Sequence, residues 1–277
     1  SGWGHRLQGA GIRVESIGKL HYRAEDDPLG FDEMHIPMYI KDGVGSLTGA
    51  IRDPMPPLAV DANRKPGFAA RAAPGVSTYN KYDARVAELT CDWLGQTASN
   101  ESDQPFVLFA SFLAPHYPLT VPEEFFAMYR PEDMPDIKLD PADGYVQHPW
   151  VNILSDRQPH ANCLTPETSK IAVAAYFGLC SYVDYQIGLV LKALETTGLA
   201  DSTRVIYTSD HGENAGARGL WGKSVMYEES AAIPMIMSGP DIARDSVCKT
   251  PVSLIDIYPT VLQATGLEPI EAEADLP

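Results

Sequence analysis

Asp210 and His211 stand side by side in Thr208-Ser-Asp-His-Gly-Glu-Asn214, directly after the apolar run Val205-Ile-Tyr207. The run reads as a short buried strand, and ligands collect where the strands of an α/β sheet end. Carboxylate and imidazole are both metal ligands, but both are also common in hydrogen-bonded turns, so the pair alone supports either reading. Gly212, Gly216, Gly219 and Gly222 then let the backbone turn tightly, and Lys223 closes the stretch with a fixed positive charge.

Three more candidates follow other apolar runs. Arg13-Val-Glu-Ser-Ile17 reads as a strand that delivers Gly18-Lys19-Leu-His21. Residues two apart in extended chain project to one side, so Lys19 and His21 either share a site or are a surface lysine and a turn histidine. Pro105-Phe-Val-Leu-Phe-Ala-Ser-Phe112 has the unbroken apolarity of a central parallel strand. It leads to His116, which lies between Pro115 and Pro118 and so on a stiffened backbone, in a structural or a functional role.

The elements that must position these groups alternate between helix and strand. Helical spacing predicts helices over residues 3–11, 82–97, 167–197 and 252–262, and a further strand over 233–238. In the second helix Val86, Leu89, Trp93 and Leu94 share the apolar face, with Asp83 assigned elsewhere. Alternation of this kind argues an α/β fold, a mainly parallel sheet with helices on both faces. Residues 22–74 lose periodicity and are punctuated by Gly and Pro, as are residues 125–166. The first excursion is expected to form a pocket wall, through His35, Met34, Tyr39 or Arg52, or a contact in a homo-oligomer. His148 and His160 in the second receive no role.

At 277 residues the chain can bury the core of one large domain. No run of eighteen apolar residues offers a membrane span, and no leader peptide is visible. A net charge of −16 argues against a nucleic-acid partner, since phosphate backbones call for a basic surface. Cys91, Cys163, Cys180 and Cys248 are far apart, without metal-binding spacing. Cys91 and Cys180 lie in apolar helical patterns and read as buried thiols, which favours a reducing compartment, the cytoplasm over the periplasm.

Ser209-Asp-His-Gly-Glu-Asn214, with Gly219-Leu-Trp-Gly-Lys223 and Tyr227-Glu228, resembles the second metal-and-lysine motif of the sulfatases, in the alkaline phosphatase superfamily. The Asp-His form is similar to the choline-sulfatase and phosphonate monoester hydrolase branch. Gly18-Lys-x-His21, Ser111-Phe-x-x-Pro-His-x-Pro118 and Asp256-Ile-x-Pro-Thr260 resemble further family segments, all in family order. Asp256 reads as a structural residue of its turn.

The resemblance implies an alkaline-phosphatase-like fold and a small-molecule sulfate ester as substrate. It implies a divalent metal, Ca²⁺ or Mn²⁺, and a formylglycine nucleophile made from Cys or Ser in a Cys/Ser-x-Pro/Ala-x-Arg motif. Metal ligation would fall to Asp210 and His211. Lys19 and His21 would sit beside the nucleophile, and His116 and Lys223 would hold sulfate oxygens and assist the leaving alcohol. No cysteine here lies in the nucleophile motif: Cys91 is followed by Asp-Trp-Leu-Gly, Cys163 by Leu-Thr-Pro-Glu, Cys180 by Ser-Tyr-Val-Asp and Cys248 by Lys-Thr-Pro-Val. Residues 1–277 are therefore expected to be one catalytic-domain fragment, incomplete at both ends and inactive alone. It would lack the N-terminal part with the nucleophile and the C-terminal subdomain. The alternatives are a phosphonate or phosphate ester hydrolase of the same superfamily, and a non-catalytic binding module.

Overall fold

Alternation along the strand Arg13–Gly18 (β1) sets the layers of the molecule. A computed structural model describes residues 2–40, 43, 67–100, 104–152 and 164–268. Successive residues of β1 face opposite ways, so Val14 and Ile17, both fully buried, enter different cores. Val14 packs with Leu7 of helix α1 (Trp3–Gly9), with Ile12 and with Leu262 near the end of the described chain. Ile17 packs with Val86, Trp93 and Leu94 of helix α2 (Thr78–Ser99) and with Leu194.

The remaining strands are β2 (His21–Tyr22), β3 (Glu33–His35), β4 (Met38–Tyr39), β5 (Ala73–Pro74), β6 (Phe106–Ser111), β7 (Thr120–Val121), β8 (Val205–Thr208) and β9 (Met235–Ser238). The remaining helices labelled here are α3 (Glu123–Phe126), α4 (Pro166–Thr196), α5 (Glu228–Ala231) and α6 (Ile257–Ala264). The order β3-β1-β6 forms a three-stranded parallel sheet, with Ile17 opposite Ala110 and Gly18 opposite Ser111. With α1 and α6 against one face of β1 and α2 against the other, the architecture is α/β, as expected. A further core surrounds α4, where Ala172, Ala175 and Leu179 meet Val121, Phe68 and Trp221.

The structure departs from the sequence reading in several places; β8, read as a buried strand, is only partly covered, with Tyr207 38% exposed. The excursion from residue 22 contributes β3 to the sheet, where Glu15 pairs with Glu33 and Ile17 with His35. Helix α2 begins at Thr78, because Ser77 caps it: Ser77 Oγ accepts the Asn80 N–H at 3.1 Å and Asn80 Oδ1 accepts the Ser77 N–H at 2.7 Å. Strand β9 runs antiparallel to β8. The residues between them hold only the four-residue α5 and a 3-10 turn, and are spent on the loop that carries Asp210, His211 and Lys223. Cys91 and Cys180 are half-buried rather than buried, Cys248 is exposed, and Cys163 lies outside the described residues. Among the described residues no helix is long and apolar enough to cross a membrane.

One buried carboxylate ties the sheet to α2. Glu15 is 3% exposed; it accepts Trp93 Nε1–H at 2.8 Å, meets His35 Nε2 at 2.8 Å and pairs with Arg13 Nε at 2.5 Å. Burial alone would push its pKa up, but these three donors outweigh it and hold the carboxyl below the usual glutamate value. A depressed acid contributes stability that is present above about pH 4.5 and lost as pH falls through the lower folded-state value. Glu15→Gln should therefore be less stable than wild type at pH 7, and the gap should narrow in acid. Thermal midpoints of both proteins from pH 7 to pH 3.5 read this directly; a constant gap would mean that Glu15 is not held ionised.

Candidate active site

Three strand ends build the site. β1 ends at Gly18, and the Lys19 N–H donates to the Ser111 carbonyl at 3.3 Å, which holds the start of Gly18-Lys-Leu-His21 against the end of β6. β6 ends at Ser111 and continues into Leu113-Ala-Pro-His116, where the His116 N–H closes a turn on the Leu113 carbonyl at 2.9 Å. The Ala114–Pro115 and Tyr117–Pro118 peptide bonds are both cis. β8 ends at Thr208, and Ser209 Oγ donates to the His211 carbonyl at 2.8 Å, tightening the turn that presents Asp210 and His211.

The glycine-rich loop returns Lys223 to the same place. The Gly212 N–H donates to the Ser230 carbonyl at 2.8 Å and the Asn214 N–H to the Gly222 carbonyl at 3.0 Å. Ser230 Oγ in turn donates to the Lys223 carbonyl. Gly222 has a φ of +84°, a conformation that a side chain disfavours, immediately before Lys223. Leu220 and Trp221 are buried; Trp221 anchors the loop against Phe68 and the α4 core. The apolar half of Gly-Leu-Trp-Gly-Lys is thus an anchor for its charged end.

The six sequence-selected residues come together. Lys223 Nζ lies 2.6 Å from His211 Nε2, and Asp210 Oδ1 lies 3.5 Å from that same nitrogen. The His116 and His211 rings are 6.3 Å apart. Lys19, Lys223 and Asp210 all act electrostatically on His21, and Lys223, Lys19 and His211 all act on His116. The pKa of His116 is pushed down to about 4, first by burial and then by those cationic and imidazole neighbours, so the ring is neutral at pH 7. Partial burial, then Lys19 and Lys223, also lower His21, with Asp210 opposing them. Burial lowers Lys223 too, partly offset by Asp210.

The ring nitrogens divide their tasks. His116 Nδ1 is 2.8 Å from the Tyr117 carbonyl and His211 Nδ1 is 2.8 Å from the Gly212 carbonyl. Facing an acceptor, each Nδ1 carries the proton and leaves Nε2 with a lone pair turned elsewhere. Asp210 Oδ1 and His211 Nε2 could address one cation if Lys223 Nζ, 2.6 Å from the same nitrogen, gave way to it. Two protein donors are fewer than the six or more ligands that such an ion takes, so other ligands must complete the shell. Among the described residues, the one cluster of three such donors close enough to share an ion is Glu15, Glu33 and His35, not Asp210 and His211. Its central carboxylate is already engaged by Arg13, Trp93 and His35, which fits an internal ion-pair network rather than a metal site.

That network also corrects an expectation. His35 is one of four residues of the first excursion that the sequence offers as a pocket wall; its Nε2 instead faces Glu15. Met34 lies in β3 and Tyr39 in β4, while Arg52 and His160 lie outside the described residues.

Sequence reading missed two carboxylates that shape the site. Asp83, fully buried, accepts the Leu113 N–H at 2.7 Å and the Ala114 N–H at 2.9 Å. Glu213 Oε1 accepts the Gly222 N–H at 2.5 Å and the Ala215 N–H at 3.2 Å, while burial raises its pKa against those bonds. Asp83 had a legible signal: it lies three and seven residues before Val86 and Thr90 on the buried face of α2. A charged residue in phase with an apolar stripe is costly unless it has a task.

The family model described as Sulfatase matches residues 7–267. The choline-sulfatase of Rhizobium meliloti is 30% identical over 292 residues, covering 96% of this chain and 52% of the relative. Arylsulfatase K of Canis lupus familiaris is 34% identical over 206 residues, covering 66% of this chain and 36% of the relative. A solved phosphonate monoester hydrolase of Silicibacter pomeroyi superposes with a TM-score of 0.67 at 25% identity, over 96% of this chain and 58% of that one. The chain spans about half the length of the choline-sulfatase and of the phosphonate monoester hydrolase.

Proposed function

Because this chain belongs to the sulfatase family, we propose that it forms the cation-rich part of a sulfuric ester hydrolase acting on a small-molecule sulfate ester. The observation that carries the reading is the gathering of Lys19, His21, His116, Asp210, His211 and Lys223 at three strand ends. A binding module could use the ammonium groups, but it would have no need of an imidazole such as His116, whose Nδ1 is held by a carbonyl and whose Nε2 is left as a proton acceptor beside them.

Lys223 would hold the sulfate oxygens with His116, and Lys19 would sit with His21 beside the nucleophile, the two ammonium groups being compact charges that donate several hydrogen bonds. Their charge is also part of what holds His116 neutral. An anionic ester would offset that repulsion, so the His116 ring would take up a proton at Nε2 as substrate arrives. It could then pass the proton to the departing alcohol oxygen. Asp210 and His211 would hold a divalent cation, Ca²⁺ or Mn²⁺, which supplies charge to polarise the ester oxygens. The formylglycine nucleophile would come from outside residues 1–277, since no cysteine of the chain lies in its motif.

A second reading, phosphonate ester hydrolysis, is favoured by the fold match to the Silicibacter pomeroyi enzyme. Both chemistries need the same cations and imidazoles. The test is kcat/KM of the complete protein on matched aryl sulfate, aryl phosphate and phenyl phosphonate esters. The sulfate ester is expected to win. A phosphorus ester better by tenfold, about 1.4 kcal/mol in the transition state, would replace the first reading with the second.

A further inference from the structure

We infer that Asp83 is a positioning residue, one that holds the His116 turn in register with Lys19 without touching substrate. The inference rests on the proposed role of His116.

Its carboxylate is fully buried on α2 and grips two consecutive backbone N–H groups, Leu113 through Oδ1 and Ala114 through Oδ2. These amides fall where β6 has already ended at Ser111, so no strand neighbour is bonding them there. One turn further along the same helix face, Val86 lies against Gly18, the residue before Lys19: its methyl carbon is 3.1 Å from where a Gly18 side chain would start. A single helix face therefore meets the ends of β1 and β6, two of the three strand ends that carry site residues. The Lys19 N–H is bonded to the Ser111 carbonyl, which joins the same two ends through the backbone. Lys19 also acts electrostatically on Asp83, so a cation of the site lies within range of the carboxylate beneath it. A neutral side chain of the same shape could accept one of the two N–H groups but would turn its own donors on the other. Asp83 is thus suited to fix where the His116 ring points, and catalysis is sensitive to small displacements of such a ring.

The test uses the complete protein with 4-nitrophenyl sulfate as probe. Asp83→Asn should lower kcat by about tenfold or more with little change in KM, and by less than about twofold when made in a His116→Asn background. Equal losses in the two backgrounds would overturn the inference, because a general structural defect would add to the loss of His116 rather than vanish with it. A second measurement needs no variant: in the wild-type protein the Leu113 and Ala114 amides should exchange with deuterium as slowly as the β6 amides. Exchange at loop rates would overturn the inference even if Asp83→Asn fails to fold. Should His116→Asn alone leave kcat/KM unchanged, the catalytic reading of His116 falls, and the exchange data still decide whether Asp83 holds the turn.

Discussion

Lys223→Ala in the complete protein should lower kcat/KM on an aryl sulfate by about 100- to 1,000-fold, the scale of losing one preorganised donor to a developing oxyanion. The ammonium sits at the centre of the site: 2.6 Å from His211 Nε2, within range of Asp210 and Lys19, and half-buried behind the glycine-rich loop. Its side chain supports no strand or helix, so the thermal midpoint should change by only a few degrees. Lys223→Arg should recover little of the loss, because a planar guanidinium cannot take the place of a compact ammonium in a pocket shared with an imidazole. Activity within fivefold of wild type would remove Lys223 from the site. Bound metal, measured alongside, separates the two consequences of the change: loss of charge on the ester, and release of the His211 nitrogen that Lys223 faces.

How far the site could be read from sequence depended on how local its cause was. Asp210, His211, Lys19 and His116 each follow an apolar run that ends abruptly, and strand ends are visible to periodicity. Strand pairing is not local. Nothing in Glu33-Met-His35 announces a strand, since three residues carry no period; β3 exists because β1 offers it an edge and Glu15 offers His35 a partner. The antiparallel direction of β9 was equally hidden, because it depends on how β9 pairs with β8 and not on any residue within it. Asp83 and Glu213 escaped for a different reason. A carboxylate that satisfies backbone N–H groups in a distant turn looks, in sequence, like any solvated acid. Only the phase of Asp83 with Val86 and Thr90 could have marked it.

Gly18→Ala should cost about 3–5 kcal/mol of stability, far more than a glycine substitution at an open turn. Gly18 has a φ of +108°, which L side chains rarely adopt, and it is buried. A Cβ there would overlap the Ser111 carbonyl oxygen and press on the Val86 methyl at 3.1 Å. The Ser111 carbonyl cannot yield cheaply, because it accepts the Lys19 N–H and so joins the ends of β1 and β6. Gly11→Ala is the control: its φ is +76°, and its Cβ would meet nothing within 4 Å. That change carries the backbone penalty alone, about 1 kcal/mol. The difference between the two in urea denaturation isolates the steric part of the Gly18 effect. Equal losses would mean that the strand ends do not approach as closely as the structure has them. A larger loss at Gly18 would show that glycine before Lys19 is required by the sheet itself, whatever ester the site takes.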